Sequence, residues 1–327
     1  MSVRETPWTV GLDIGGTKTH ALLLDRAGAV RADIRLGTQA GAAGVAEGAI
    51  GAVKELLSSV GVEVAQVDAV GVALPGVVDP AAGTVRSAVN LGIDAPLALA
   101  ALVGRGLGGV PVTLENDLNA AVLGARHLLA AAGEARVDDL AFLALGTGVA
   151  AGLLLDGRLR PGAHGGAGEI GHLTLVPGGL PCNCGQLGCL ERYGSGSALD
   201  AAWPSRTGRP SPVEVFEAAA AGDPHAAAIR EQFVAAVVAA LRVLVLACDF
   251  GTIVVGGGVS ALGQPLLDAL VAELDRQAEG SSFLAGLDIP ARLRLAPAGV
   301  PVGAVGAALV ARGRQEQRQQ VHQEEES

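Results

Sequence analysis

The residues best able to do chemistry crowd one stretch: Glu169, His172, Cys182, Cys184, Cys189 and Glu191. One imidazole and three thiols are the donor set of a closed, tetrahedral structural zinc site, with no position open for water or substrate. The C-x-C spacing departs from the commoner C-x₂₋₄-C finger, so it points to zinc without naming a family; reduced free cysteines on a loop are the alternative. Zinc would leave Glu169 and Glu191 unused. Two carboxylates pinned beside a rigid knot could accept hydrogen bonds from several sugar hydroxyls. Cys248, inside an apolar run, reads as an inert core residue.

Glycines point to phosphate. Asp13-Ile14-Gly15-Gly16-Thr17-Lys18 places a glycine pair at a turn between two strands, where missing side chains let backbone N–H groups approach an anion. A plain hairpin would use the same pair, but Asp13, Thr17, Lys18 and a second turn at Gly146-Thr147-Gly148 favour phosphate binding. Neither loop is a Walker A sequence or a GxGxxG opening a helix, so the P-loop and Rossmann fingerprints do not apply. Gly256-Gly257-Gly258-Val259, between a strand and a helix, offers bare backbone to a flat group or a phosphate, or makes a tight connection only. Glu115-Asn116-Asp117 ends a short strand and opens a helix, at the strand end that faces the ligand crevice in open α/β sheets. Asn116 or Asp117 could cap that helix. A carboxylate not used as a cap would be placed to take a proton from a hydroxyl.

The elements that must position these residues alternate in kind. Strands at 9–14 and 20–25, and a third ending at Thr38, read as an antiparallel meander, echoed at 140–145 and 150–156 around the second glycine turn. "ALLLD" at 21–25 returns as "GLLLD" at 152–156. Helix and strand signals follow each meander: helix 45–60, strands 67–74 and 112–114 and helix 117–132, then helices 224–247 and 264–278 with strands 252–255 and 292–295. Two similar α/β halves imply a cleft between them, where ligands usually bind. The expected division is residues 1–118 plus about 300–327 in one domain and 119–299, with the cysteine loop, in the other. A last helix, 301–312, ends at Gly313, and residues 314–327 read as a flexible or fraying polar tail.

With 327 residues, half of them apolar, the chain can build two real cores. Its formal charge of −10, with Lys18 and Lys54 its only lysines, gives no footprint for nucleic acid or anionic lipid. No signal peptide is read at the start, so a cytoplasmic location is expected. The longest apolar run, 233–248, is short for a membrane span and contains Arg242; it reads as a buried helix.

In this order the motifs resemble the ROK family of sugar kinases and repressors, within the larger group sharing the actin and hexokinase nucleotide-binding fold. The resemblance spans roughly residues 9–312. Its most specific element is Glu169-x-Gly171-His172 followed by Cys182-x-Cys184-Gly185-x-x-Gly188-Cys189-x-Glu191. It implies two ribonuclease H-like (actin/hexokinase-type) α/β domains with an interdomain cleft, and a structural zinc on His172, Cys182, Cys184 and Cys189. Asn116, Asp117, Glu169, His172 and Glu191 would contact the sugar, with Asp117 as catalytic base. The segments at Asp13 and Gly146 look like the two phosphate loops of an ATP site and the 256–259 segment like its adenosine part, with Asp13 helping to hold hydrated Mg²⁺. Leu74-Pro75-Gly76 and Asn90-Leu91 match two segments lining the sugar cleft. Many relatives carry tryptophan after the latter, where this chain has Gly92-Ile93.

Repressors of the family place a winged helix-turn-helix ahead of the body, and Asp13 comes too early for one. The resemblance therefore implies an ATP-dependent hexokinase acting on a 6-hydroxyl, glucose first. N-acetylmannosamine, N-acetylglucosamine, fructose or mannose, or sugar sensing without turnover, are the alternatives. A homo-oligomer, dimer or tetramer, is expected.

Overall fold

The computed structural model describes residues 8–135 and 137–325. Two compact units make up the chain: one runs to Ala131 and takes in the chain from Gly299 onward, and the other is Ala132–Ala298. The first boundary therefore falls after 131 rather than 118. Helix 117–131 stays with the first unit because it packs on the C-terminal helix, where a Cβ at Gly124 would fall on the Val302 carbonyl and one at Gly306 on the Ala120 carbonyl.

The first unit holds β1 (Trp8–Ile14), β2 (Lys18–Leu24), β3 (Val30–Gly37), β4 (Val67–Leu74), a small hairpin of β5 (Val77–Asp79) and β6 (Thr84–Arg86), and β7 (Val112–Asn116). Its main sheet has the order β3-β2-β1-β4-β7, antiparallel from β3 to β1 and parallel from β1 to β7. The inner strands are buried along most of their length, as expected of strands covered on both faces. Helices α1 (Gly41–Ser59) and α2 (Leu99–Gly106) share one core with Leu12, Val70 and Val72, through Val53, Leu56 and Val103 among others. On β1 and β4, Gly11 and Gly71 let the C-terminal helix approach backbone to backbone, since a Cβ at either would strike the carbonyl of Ala304 or Ala307.

The second unit repeats the plan. Strands β8 (Leu140–Leu145), β9 (Val149–Leu155), β10 (Arg158–Leu159), β11 (Thr252–Gly256) and β12 (Leu293–Leu295) lie in the order β10-β9-β8-β11-β12, again antiparallel then parallel. The "ALLLD" and "GLLLD" segments lie in equivalent places, on β2 and β9. Helices α4 (Glu191–Gly194), α5 (Gly196–Ala202), α6 (Ser211–Ala220), α7 (Pro224–Cys248) and α8 (Gln264–Ala278) follow β10 in the chain, α8 coming after β11. Among the described residues, α7 is the one helix long and apolar enough by length and composition to cross a membrane. Its Phe233, Val237, Leu241 and Leu244 are buried in one cluster with Leu143 and Val255 of the sheet.

The chain end departs from the sequence reading. The C-terminal helix runs Val302–Glu325, straight through Gly313. One glycine costs a helix only about 1 kcal/mol, and residues 314–325 are mostly Gln, Glu and Arg, which are good helix formers. Residues 326–327 of the expected tail lie outside the described residues.

Candidate active site

In the first unit the carboxyl ends of three parallel strands bring Asp13, Pro75 and Asn116 to one edge: Asp13 pairs with Ala73, and Leu74 with Asn116. Asn116 does cap a helix. Its Oδ1 accepts from the N–H groups of Leu118 at 3.0 Å and Asn119 at 3.3 Å, at the start of α3 (Asp117–Ala131). The two N–H donors fix the amide orientation, so Nδ2 points away from the helix end and can donate to a hydroxyl. Asp117 is the first residue of α3, its Oδ1 accepting from Leu118 N–H at 3.0 Å. Glu115, nearly buried, accepts from Asn116 N–H and Asn119 Nδ2, both at 2.9 Å, and so braces the pair from behind.

Burial, and after it the charge of Asp117, pushes the Asp13 carboxyl up to about 7. A Cβ at Gly303, in the first turn of the C-terminal helix, would collide with the Asp13 carboxylate. That helix start therefore approaches Asp13 closely, a relation the sequence reading missed. Its only signal was the small-residue run around Gly303 and Gly306.

The first glycine turn is a tight hairpin: Gly15 N–H donates to Lys18 O at 2.9 Å, and Thr38 Oγ1 donates to Gly15 O at 2.7 Å. Gly16, Thr17 and Lys18 are exposed. A Cβ at Gly16 would lie 3.0 Å from Asn90 O, which places the glycine turn against the Asn90 segment. Asn90 is exposed within the short helical turn Val89–Leu91, closed by Gly92 at φ 67°. The Gly92-Ile93 departure thus has a local role: Gly92 supplies the left-handed residue, and Ile93 is buried in the core. Gly76, at φ 104°, packs against Ala88 and Arg86 O and leads the Pro75 segment past the same turn.

In the second unit Gly146 N–H donates to Gly148 O at 3.0 Å, leaving Thr147 exposed at the tip. Val149 N–H, just beyond, donates to Glu191 Oε2 at 3.0 Å. Gly196 N–H donates to Gly146 O at 2.7 Å, a second tie absent from the sequence reading. Gly257, at φ 84°, lies against the Leu145 backbone, and Gly258 is open on its Cβ side. Val259 is buried, so only its backbone is available to a ligand.

His172, Cys182, Cys184 and Cys189 converge, with their ligand atoms all within 4.8 Å of one another. The Cys182 Sγ to His172 Nδ1 distance is 3.7 Å and Cys184 Sγ to Cys189 Sγ is 3.6 Å. A tetrahedron with metal–sulfur bonds of about 2.3 Å has edges of about 3.8 Å, so these separations fit a four-coordinate metal. The backbone makes the cage: Cys182 N–H donates to Gln186 O, Gly185 turns at φ 92°, and Gly188 at φ 77° abuts Val176 O. Hydrogen bonds from the Gln186 side chain and backbone draw the Cys184 thiol down to about 6, while burial pushes Cys189 up to about 12. Glu169 is exposed just before the turn Ile170–His172.

A duplicated sheet with glycine loops at the carboxyl ends is the two-domain architecture of the actin and hexokinase group, here carrying a carboxylate on one unit and a thiol-imidazole cage on the other. A model described as the ROK family matches residues 9–314, and the chain belongs to that family. It is 32% identical to the glucokinase of Streptomyces coelicolor over 93% of this chain and 97% of that protein. It is 31% identical to the N-acetylmannosamine kinase of Yersinia pseudotuberculosis over 80% of this chain and 87% of that one. The crystal structure of a ROK family glucokinase from Streptomyces griseus with glucose and AMPPNP matches with a TM-score of 0.77 at 33% identity, covering 94% and 99% of the two chains. The protein is thus an ATP-dependent sugar kinase.

Proposed function

We propose that the sugar is glucose and that Asp117 is the base. The observation that carries this is the placement of Asp117 at the head of α3, one residue beyond an asparagine whose Oδ1 is occupied by the helix and whose Nδ2 is free to hold a hydroxyl. The similarity to glucokinases over almost the whole chain supports glucose.

In the reaction the sugar O6–H proton passes to an Asp117 oxygen as O6 bonds to the γ-phosphorus, and the bond from that phosphorus to the bridging oxygen of ADP breaks. Phosphoryl transfer depends mainly on positioning and charge stabilisation. The N–H groups at the tips of the two turns, at Gly16 and Thr17 and at Thr147 and Gly148, hold the phosphates, and Mg²⁺ bound with the nucleotide would neutralise their developing charge. Asp13 is the residue that would help to hold the hydrated metal, and residues 256–259 take the adenosine through their backbone. Asn116, Glu169, His172 and Glu191 bind sugar hydroxyls, with Asn90 and the Pro75-Gly76 segment beside them.

His172, Cys182, Cys184 and Cys189 are the residues that would hold zinc. With four protein donors, such a metal would shape the loop that carries Glu191 rather than activate the hydroxyl.

The test is a coupled assay of the purified protein with ATP against glucose, mannose, fructose, N-acetylglucosamine and N-acetylmannosamine. The expected result is the highest kcat/KM with glucose. Preference for N-acetylmannosamine, the second reading that the Yersinia relative favours, would overturn the glucose assignment while leaving the kinase chemistry intact.

A further inference from the structure

Glu191 lies where two parts of the second unit meet. On one side is the thiol cage: Leu190 N–H donates to Leu173 O at 2.8 Å, Arg192 N–H to Cys189 O at 3.0 Å, and Cys189 bridges in antiparallel fashion to Thr174. The backbone carrying Glu191 is therefore part of the cage wall. On the other side its Oε2 accepts from Val149 N–H at 3.0 Å, and a Cβ at Gly148 would fall on that same oxygen. Two more contacts join these parts: Gly196 N–H donates to Gly146 O at 2.7 Å, and Gly171 abuts the Val149 carbonyl. The glycine turn at 146–148 is thus seated on the segment that the cage shapes.

We propose that Glu191 is a positioning residue for the nucleotide as well as a sugar contact, so that the thiol cage sets the affinity for both substrates. This rests on reading Gly146-Thr147-Gly148 as a phosphate loop. Backbone N–H groups bind phosphate tightly only when the turn is already held in shape. A carboxylate accepting from the N–H just beyond the turn supplies such a hold, and charge-assisted hydrogen bonds of this kind are the stronger ones. With Oε2 engaged by the turn, Oε1 remains for a sugar hydroxyl. A sugar that immobilises Glu191 then immobilises the turn, and by reciprocity nucleotide tightens sugar binding.

The experiment is calorimetric binding of AMPPNP to the metal-replete protein with no sugar present. Three variants are compared with the parent: Glu191→Asp, Glu191→Gln and Gly146→Val. Aspartate keeps the charge and is one methylene too short to reach Val149; glutamine loses the charge and keeps a carbonyl that can accept from it. Gly146→Val adds bulk to the turn itself, at a site where a Cβ meets nothing within 4 Å. Expected are a nucleotide affinity about tenfold weaker in Glu191→Asp, weaker by a smaller factor of about two- to fivefold in Glu191→Gln, which keeps an acceptor but loses the charge, and severely reduced in Gly146→Val. Parental affinity in Glu191→Asp alongside lost affinity in Gly146→Val would overturn the positioning role. Parental affinity in Gly146→Val would instead remove the phosphate-loop reading beneath it.

Discussion

Asp13 and Asp117 share one electrostatic environment: the charge of Asp117 adds to burial in holding the Asp13 carboxyl up to about 7, against 3.8 in an unperturbed chain. Between those two values the folded protein keeps a proton that the unfolded chain has released. Stability therefore falls as pH rises through this window, and the penalty is complete above about 7. Asp13→Asn removes it. Without nucleotide, the variant should melt above the parent at pH 8, by roughly 2–4 °C for each kcal/mol recovered, with the gap closing near pH 4. Its kinase activity should be lost at every pH. A variant melting at or below the parent at pH 8 would contradict the assignment.

Asp117→Asn keeps the oxygen that accepts from Leu118 N–H, so fold and sugar affinity should persist. As the loss of a general base, it should lower kcat by on the order of 10²-fold or more. Turnover within a few-fold of the parent would remove Asp117 from the base role.

Gly16→Val puts a branched side chain on the first glycine turn, where a Cβ already meets the Asn90 backbone at 3.0 Å. Steady-state kinetics should show KM rising for both ATP and sugar. Gly15→Ala, whose Cβ meets only Lys18 O at 3.4 Å, should be milder on both.

Cys184→Ser and Cys189→Ser should each lose the metal, measured by atomic emission. Metal binding must displace the thiol protons, so metal affinity should fall as pH is lowered. Sugar affinity should fall with the metal. Nucleotide affinity should fall too, by a smaller factor, through the Glu191 to Val149 hydrogen bond. A metal-free parent with full activity would refute the cage's role.

Gly71→Ala tests the packing on which Asp13 and α3 depend. Its Cβ would strike the Ala307 carbonyl, and backbone cannot move aside as a side chain tip can. Destabilisation of about 1–3 kcal/mol or more is expected in chemical denaturation. Gly51→Ala on α1, where nothing lies within 4 Å, should be neutral or stabilising.

The motifs, their order, the duplicated strand pattern and the donor set at 172–189 were all legible in the chain. Each depends on residue type at short range: a glycine turn between two strands, a thiol beside a thiol, an apolar run long enough to be a core strand. The close contacts were not legible. Glu191 and Val149 are far apart in sequence, as are Gly16 and Asn90, and Asp13 and Gly303; nothing local marks them as neighbours. Which glycines face open space and which lie against a carbonyl is likewise a property of packed backbones. The helix end at Gly313 was misjudged because a local breaker was weighed against a long run of good helix formers that outvotes it. Asn116 and Asp117 show the division most clearly. The sequence alone left open which of the two caps α3, and the fold decided it by turning the Asn116 oxygen onto the two N–H groups of the first turn.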